Sequence, residues 1–160
     1  MTRPAGPTVV LIGVSALLAA ASGCADSRIC AGVGVVSGIG VMFLHQGYDR
    51  LAGASYELCT RGECVKGALQ EGDITKVNLP LPDDVDPSAA PAHFRVTREG
   101  ATAPVVDAAV DVKLAFQSDG CGGGAYNGGL AFTRETGLTT KIPANVSAAW
   151  LAHIRSLDTS

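Results

Sequence analysis

The chain has 160 residues, a formal charge of −3, 20 glycines and few aromatics. This balance excludes an electrostatic footprint for nucleic acid and offers no basic cluster for an anionic lipid surface. The length suits one domain, large enough to bury about two thirds of its unfolded surface, and the glycine content points to short strands and many turns.

The first feature along the chain is an apolar run from Val9 to Ala21, preceded by a lone Arg3 and closed by Ala21-Ser22-Gly23-Cys24. A membrane-spanning helix needs about 20 apolar residues, so the run is short for a span and fits the apolar core of an export signal. Small residues before a cysteine fit the narrow cleft of a lipoprotein signal peptidase. The expectation is a signal peptide over 1–23, cleavage before Cys24 and lipidation of the Cys24 thiol. Two acyl chains on one diacylglyceryl group suffice for stable anchoring, whereas one does not. Residues 24–29 then form a lipidated tether, and the protein sits on the outer face of the cell membrane. The alternatives are plain secretion and an uncleaved anchor.

The region 30–138 reads as a β domain. Ile39, Val41 and Phe43 alternate as in a half-buried strand. His45 to Gly53 is polar and reads as a loop. Ser55–Cys59 and Cys64–Leu69 read as a hairpin around a four-residue loop, Thr60-Arg61-Gly62-Glu63. Val77 to Leu81 reads as an edge strand because Pro80 and Pro82 flank its end. Asp83 to Pro91 is a loop, and His93 to Arg98 a strand with Phe94 and Val96 inward. Val106, Ala108, Val110, Val112, Leu114 and Phe116 keep spacing two, with Asp107, Asp111 and Lys113 on the wet face. They predict one long strand. Ser118 to Gly124 is a glycine-rich turn, and Gly129 to Thr133 a last strand. The tail, 139–160, is either a short helix over 148–157, capped by Asn145 or Ser147 and facing inward through Val146, Trp150, Ile154 and Leu157, or an unstructured terminus. Short strands with turns every 8–12 residues predict an all-β fold, an antiparallel sandwich of immunoglobulin-like or transthyretin-like form.

With Cys24 lipidated, Cys30, Cys59, Cys64 and Cys121 remain, an even number in an oxidising compartment. Cys59 and Cys64 oppose each other across the hairpin, at a spacing a disulfide accepts. Cys30 is then left for Cys121. Loop-closure entropy assigns about 2 kcal/mol to the short bridge and about 4–5 kcal/mol to the long one.

Three segments carry a resemblance. Cys30-Ala31-Gly32-Val33-Gly34-Val35-Val36-Ser37-Gly38-Ile39-Gly40-Val41, Leu58-Cys59-Thr60-Arg61-Gly62-Glu63-Cys64 and Ser118-Asp119-Gly120-Cys121-Gly122 resemble the cysteine motifs of small actinobacterial lipoproteins with a lipobox and a disulfide-bonded β-sandwich domain. The resemblance implies a lipid-anchored sandwich and no activity.

No nucleophile elbow or metal-ligand spacing is present, and Gly32-Val33-Gly34 lacks the rest of a dinucleotide fingerprint. No catalytic residue, metal ligand or cofactor is therefore assigned. The expected function is non-catalytic binding of a protein or cell-envelope component, with Tyr48 and Tyr126 as candidate binding residues and Tyr126 placed on a mobile loop. The first rival is an envelope hydrolase or metal-dependent enzyme using His93 or the Asp83, Asp84 and Asp86 loop. The second is a small protease inhibitor presenting the Gly122–Gly129 loop.

Overall fold

The computed structural model describes residues 35–158, and Cys24, Cys30, the signal and the tether lie outside the described residues. Within them the apolar–polar alternation resolves into nine strands and one helix. The strands are β1 (Gly38–Leu44), β2 (Ser55–Thr60), β3 (Glu63–Ala68), β4 (Ile74–Pro80) and β5 (Ala90–Thr97), then β6 (Val106–Val112), β7 (Ala115–Ser118), β8 (Gly124–Thr133) and β9 (Gly137–Thr139), followed by helix α1 (Ala144–Leu157). One sheet runs β4-β1-β8-β7, with β9 also paired to β8, and the other runs β3-β2-β5-β6. The all-β sandwich with a short C-terminal helix is thus the observed architecture.

One pair, β1 with β8, is parallel. Parallel neighbours need a long connection, and here it passes through the whole second sheet. β1 and β2 fall in different sheets. In the immunoglobulin arrangement the first two strands share one sheet, so the strand order here differs from that form. Pro80 ends the edge strand β4, as its missing N–H requires. Pro91 lies inside β5 but beyond the last residue paired with β2, so no ladder bond is lost there.

The sheets meet through their inward faces. Ile39, Val41 and Phe43 of β1 and Leu130 and Phe132 of β8 pack with Leu58 of β2, Phe94 and Val96 of β5 and Val112 of β6. Phe43 is the hub, with ring centroids 5.5 Å from both Phe94 and Phe132 in edge-on geometry. Gly128 on β8 faces this layer, where a Cβ would stand 2.9 Å from Val112 Cγ2. One end of the outer face of the first sheet is dry too, because α1 covers Leu44, Ile74 and Ala131 there. Val146 is fully buried among Leu44, Ile74 and Ala131.

The hairpin differs from expectation in its loop. Thr60 and Glu63 pair, so the loop is two residues, Arg61-Gly62, with φ of 53° and 83°. Two positive φ values give the turn whose twist matches the strands, and glycine adopts the second without strain. The Thr60–Glu63 pair closes the turn, which puts Cys59 and Cys64 in the next pair, where side chains stand closest. Their disulfide forms as expected, with Cα atoms 4.1 Å apart. Cys121 is also disulfide-bonded. The Cys30 half of the expected Cys30–Cys121 bridge lies outside the described residues.

Three further expectations are corrected. The long strand through Phe116 breaks after Val112, where the Leu114 N–H bonds the Pro87 carbonyl at 3.0 Å and the chain crosses to the other sheet. Phe116 is 58% exposed there. Residues 124–129 are not a loop but the first part of β8, paired to β7 and β1. Of the Gly122–Gly129 loop of the inhibitor reading, Gly122 and Gly123 stay in an exposed turn and the rest is strand. The same strand holds Tyr126, half-buried with its ring 5.4 Å from that of Phe116. The tail is a helix, but it starts at Ala144, four residues early, with Pro143 at the N-cap and no side-chain capping bond. Ile154 and Leu157 are exposed and not packed inward. Among the described residues no helix is long and apolar enough to cross a membrane.

Candidate functional site

β1 ends with two buried residues, Phe43 toward the core and Leu44 toward α1. The polar residues that follow must leave the sheet. They form the loop 45–53, which runs beside the 70–73 turn entering β4 and the first turn of α1. Between these three segments lies an open cleft of about 600 Å³. That volume is within the range of small-ligand sites. His45, Tyr48, Arg50, Glu71, Asp73 and Asn145 supply most of its chemistry.

The loop is held from both sides. Arg134 Nη1 donates to the Gly47 carbonyl, and Arg98 Nη2 to that of Asp49 at 3.3 Å. The His45 N–H donates to the Asp73 carbonyl at 2.8 Å, tying the loop to the turn. Tyr48 inserts its ring toward Phe43, 5.8 Å between centroids, while the Arg134 guanidinium lies 5.8 Å from the Tyr48 ring. Burial raises the Tyr48 phenol above its ordinary value, opposed by Arg134. Arg50 holds φ of 45°, a left-handed conformation uncommon outside glycine. Such strain persists only where surrounding contacts impose it, and functional loops are where it gathers.

His45 is half-buried, and its Nε2 lies 2.9 Å from Thr75 Oγ1. Burial lowers its pKa below 6.5, opposed by a hydrogen bond with the Gly72 backbone and by the Asp73 charge. A lowered folded value means the unfolded chain takes up the proton first as pH falls. Stability should therefore be fully present above 6.5 and decline below it, through the folded value. Melting of wild type and His45→Gln between pH 7.5 and 5.5 checks this. The wild type should lose stability over that window, and the variant should lose less.

The other candidates scatter. His93 lies on the outer face of the second sheet, opposite Cys59 in the strand register. His153 stacks near Trp150 on α1, 5.4 Å between ring centroids. Asp86 Oδ1 accepts the Ser88 N–H at 2.9 Å, and that bonding lowers its carboxyl pKa, with a smaller contribution from Arg61. Among the described residues one group of three potential metal ligands comes together, Glu57, Cys59 and Cys64. Two of these are joined in the disulfide, and the Asp83, Asp84 and Asp86 loop forms no such group. Lys66, Glu57, Arg95 and Asp107 occupy one register row across all four strands, with ion pairs of 2.8, 3.9 and 3.1 Å.

Of the two tyrosines singled out from sequence, Tyr48 therefore lines the cleft and Tyr126 does not. Arg50, Glu71, Asp73 and Asn145 were not legible as a site, because they come from three segments far apart in the chain. The Gly72-Asp73 turn was the one available signal. No protein-family model, curated protein or solved structure matches the chain.

Proposed function

We infer that this protein is a lipid-anchored binding module of the bacterial cell envelope, held through Cys24 and presenting the His45–Tyr48–Arg50 cleft to a polar envelope component or protein. The observation that carries the reading is the opposition of cleft and chain start. The cleft lies where β1 ends, and the described chain joins the sandwich where β1 begins. The parallel β8 sets the disulfide-bonded Cys121 turn beside that same beginning, since Gly38 pairs with Asn127. At about 3.3 Å per residue, seven residues of β1 separate the two ends by about 20 Å. An anchor on Cys24 would join the sandwich at the end opposite the cleft. The mixed lining, with Arg50 against Glu71 and Asp73, suits a ligand rich in hydroxyl and amide groups. The Cys59–Cys64 bond favours an oxidising compartment.

Two measurements test this. Cys24→Ala should shift the protein from the membrane to the soluble fraction and remove the acyl mass. Retention with unchanged mass would refute the anchor. A photo-crosslinking residue at position 50 in intact cells should capture one defined partner that the same residue at position 113, on the exposed Lys113 site, does not. Equal or absent capture at both sites refutes the cleft.

A second reading, an envelope hydrolase, is favoured by one observation. The cleft joins His45 to Glu71 and Asp73, and the His45 ring touches the Thr75 hydroxyl. It requires ester, peptide or glycan hydrolysis that disappears in both His45→Gln and Thr75→Val.

A further inference from the structure

The Cys59–Cys64 disulfide lies on the outer, solvent side of the second sheet. In β2 the inward positions are Leu58 and Thr60, so Cys59 points to the open outer face. Cys64, on the edge strand β3, is exposed. The hairpin does not depend on the bond for its shape. Six register pairs and the Arg61-Gly62 turn define it. Arg61 also pins the turn to the rest of the sandwich, with Nε donating to the Asp86 carbonyl at 3.0 Å and Nη2 to those of Ser88 and Val112. The bond closes only a short loop between strands already held in register, so it can open without unfolding the sandwich.

The surroundings supply the chemistry that opening needs. His93 is the register partner of Cys59 on β5. Cys59, His93, Arg95, Glu57 and Asp107 line a shallow hollow of about 180 Å³ on this face. The Glu57 carboxylate lies within 4.8 Å of both sulfurs and would oppose a thiolate. Its charge is engaged by Lys66 at 2.8 Å and Arg95 at 3.9 Å. Arg95 is itself held by Asp107 at 3.1 Å, so the group that remains beside Cys59 to protonate a departing thiolate is the His93 imidazole.

We propose that this face is a thiol–disulfide exchange site that oxidises a dithiol, with Cys64 as the sulfur attacked and Cys59 as the leaving group beside His93. A substrate thiolate attacks Cys64 Sγ, the Sγ–Sγ bond breaks, and Cys59 departs with the electron pair. His93 delivers a proton to it. The second thiolate of the substrate then attacks its own sulfur in the mixed disulfide and releases Cys64 as a thiolate. The substrate leaves as a disulfide and the protein as a dithiol, a two-electron exchange that needs no other reactant. A fresh disulfide oxidant of the same chemical class reverses it. The proposal does not rest on the cleft.

The test uses the full chain and dithiothreitol as the dithiol. After brief exposure and quenching with iodoacetamide, mass spectrometry should find Cys59 and Cys64 alkylated and Cys121 unmodified, with the far-ultraviolet dichroism unchanged. His93→Ala should slow the opening about tenfold near neutral pH and move its pH profile, because the leaving thiolate is less readily accommodated. In Cys59→Ser the Cys64 thiolate should attack an aromatic disulfide, expel its aryl thiolate and hold the mixed disulfide, with no second thiol to release it. Opening only in step with unfolding overturns the proposal. So does an opening rate whose magnitude and pH profile are the same in His93→Ala as in wild type.

Discussion

Phe43→Ala lowers the free energy of unfolding by about 3–5 kcal/mol. The ring is fully buried in β1 and touches aromatic partners on every side. Phe94 belongs to the opposite sheet and Phe132 to the parallel neighbour, both at 5.5 Å. Tyr48 at 5.8 Å and His45 at 5.0 Å belong to the cleft loop. Truncation therefore removes the transfer energy of a large side chain and leaves a cavity between two sheets that cannot close without moving both. Domains of this size carry about 5–15 kcal/mol, so the loss is about a fifth or more of the total. Urea unfolding should show a lower midpoint with an unchanged slope. Phe43→Leu, which keeps most of the volume, should lose less than half as much. Because His45 and Tyr48 rest on this ring, Phe43→Ala should also weaken capture of a partner from position 50 more than it weakens the fold.

Val146→Asp should release α1 from the sandwich. Val146 is the one fully buried residue of the helix, set among Leu44, Ile74 and Ala131. The buried residues around it, Leu44, Ile74 and Ala131, offer a carboxylate no side-chain donor. An unpaired buried charge costs several kcal/mol, more than the docking of one short, weakly capped helix can offset. The helix leaves before the sandwich opens. Trp150 is the sole tryptophan of the chain and packs beside this site, with Lys76 Nζ 5.7 Å from its ring, so its fluorescence reports docking alone. Emission should move to longer wavelength at concentrations of urea where the β dichroism is still native. Ala148→Asp, on the exposed side of the same helix, should leave emission unchanged. Release also strips Asn145 and Ala149 from the cleft wall. The same variant should thus lose cleft binding while retaining the Cys59–Cys64 exchange, since that face lies on the other sheet.

The two faces of β1 show where local pattern stops. Ile39, Val41 and Phe43 alternate and were readable as the core face. Leu44 and, in part, Met42 on the opposite face are covered because a helix a hundred residues later lies on them. The same limit explains the segment from Val106 to Phe116. Spacing two persists across a sheet-to-sheet crossing, since alternation records which side a residue points to and not which neighbour it pairs with.

By itself the sequence determined the class of fold, the inward residues of β1 and β5, and the Cys59–Cys64 bond. Each rests on contacts between residues close in the chain or on strict alternation, and such terms are legible locally. It also carries the Ala21-Ser22-Gly23-Cys24 signal from which the anchor is proposed. Tertiary structure alone decided the parallel β1–β8 pair, the strand identity of Tyr126, the docking of α1 and the cleft. These depend on segments brought together from distant parts of the chain, where the deciding energy is the burial of one face against another. The short hairpin that carries the disulfide was visible in the sequence, but its neighbour His93 was not, because register between β2 and β5 is set by the core they share.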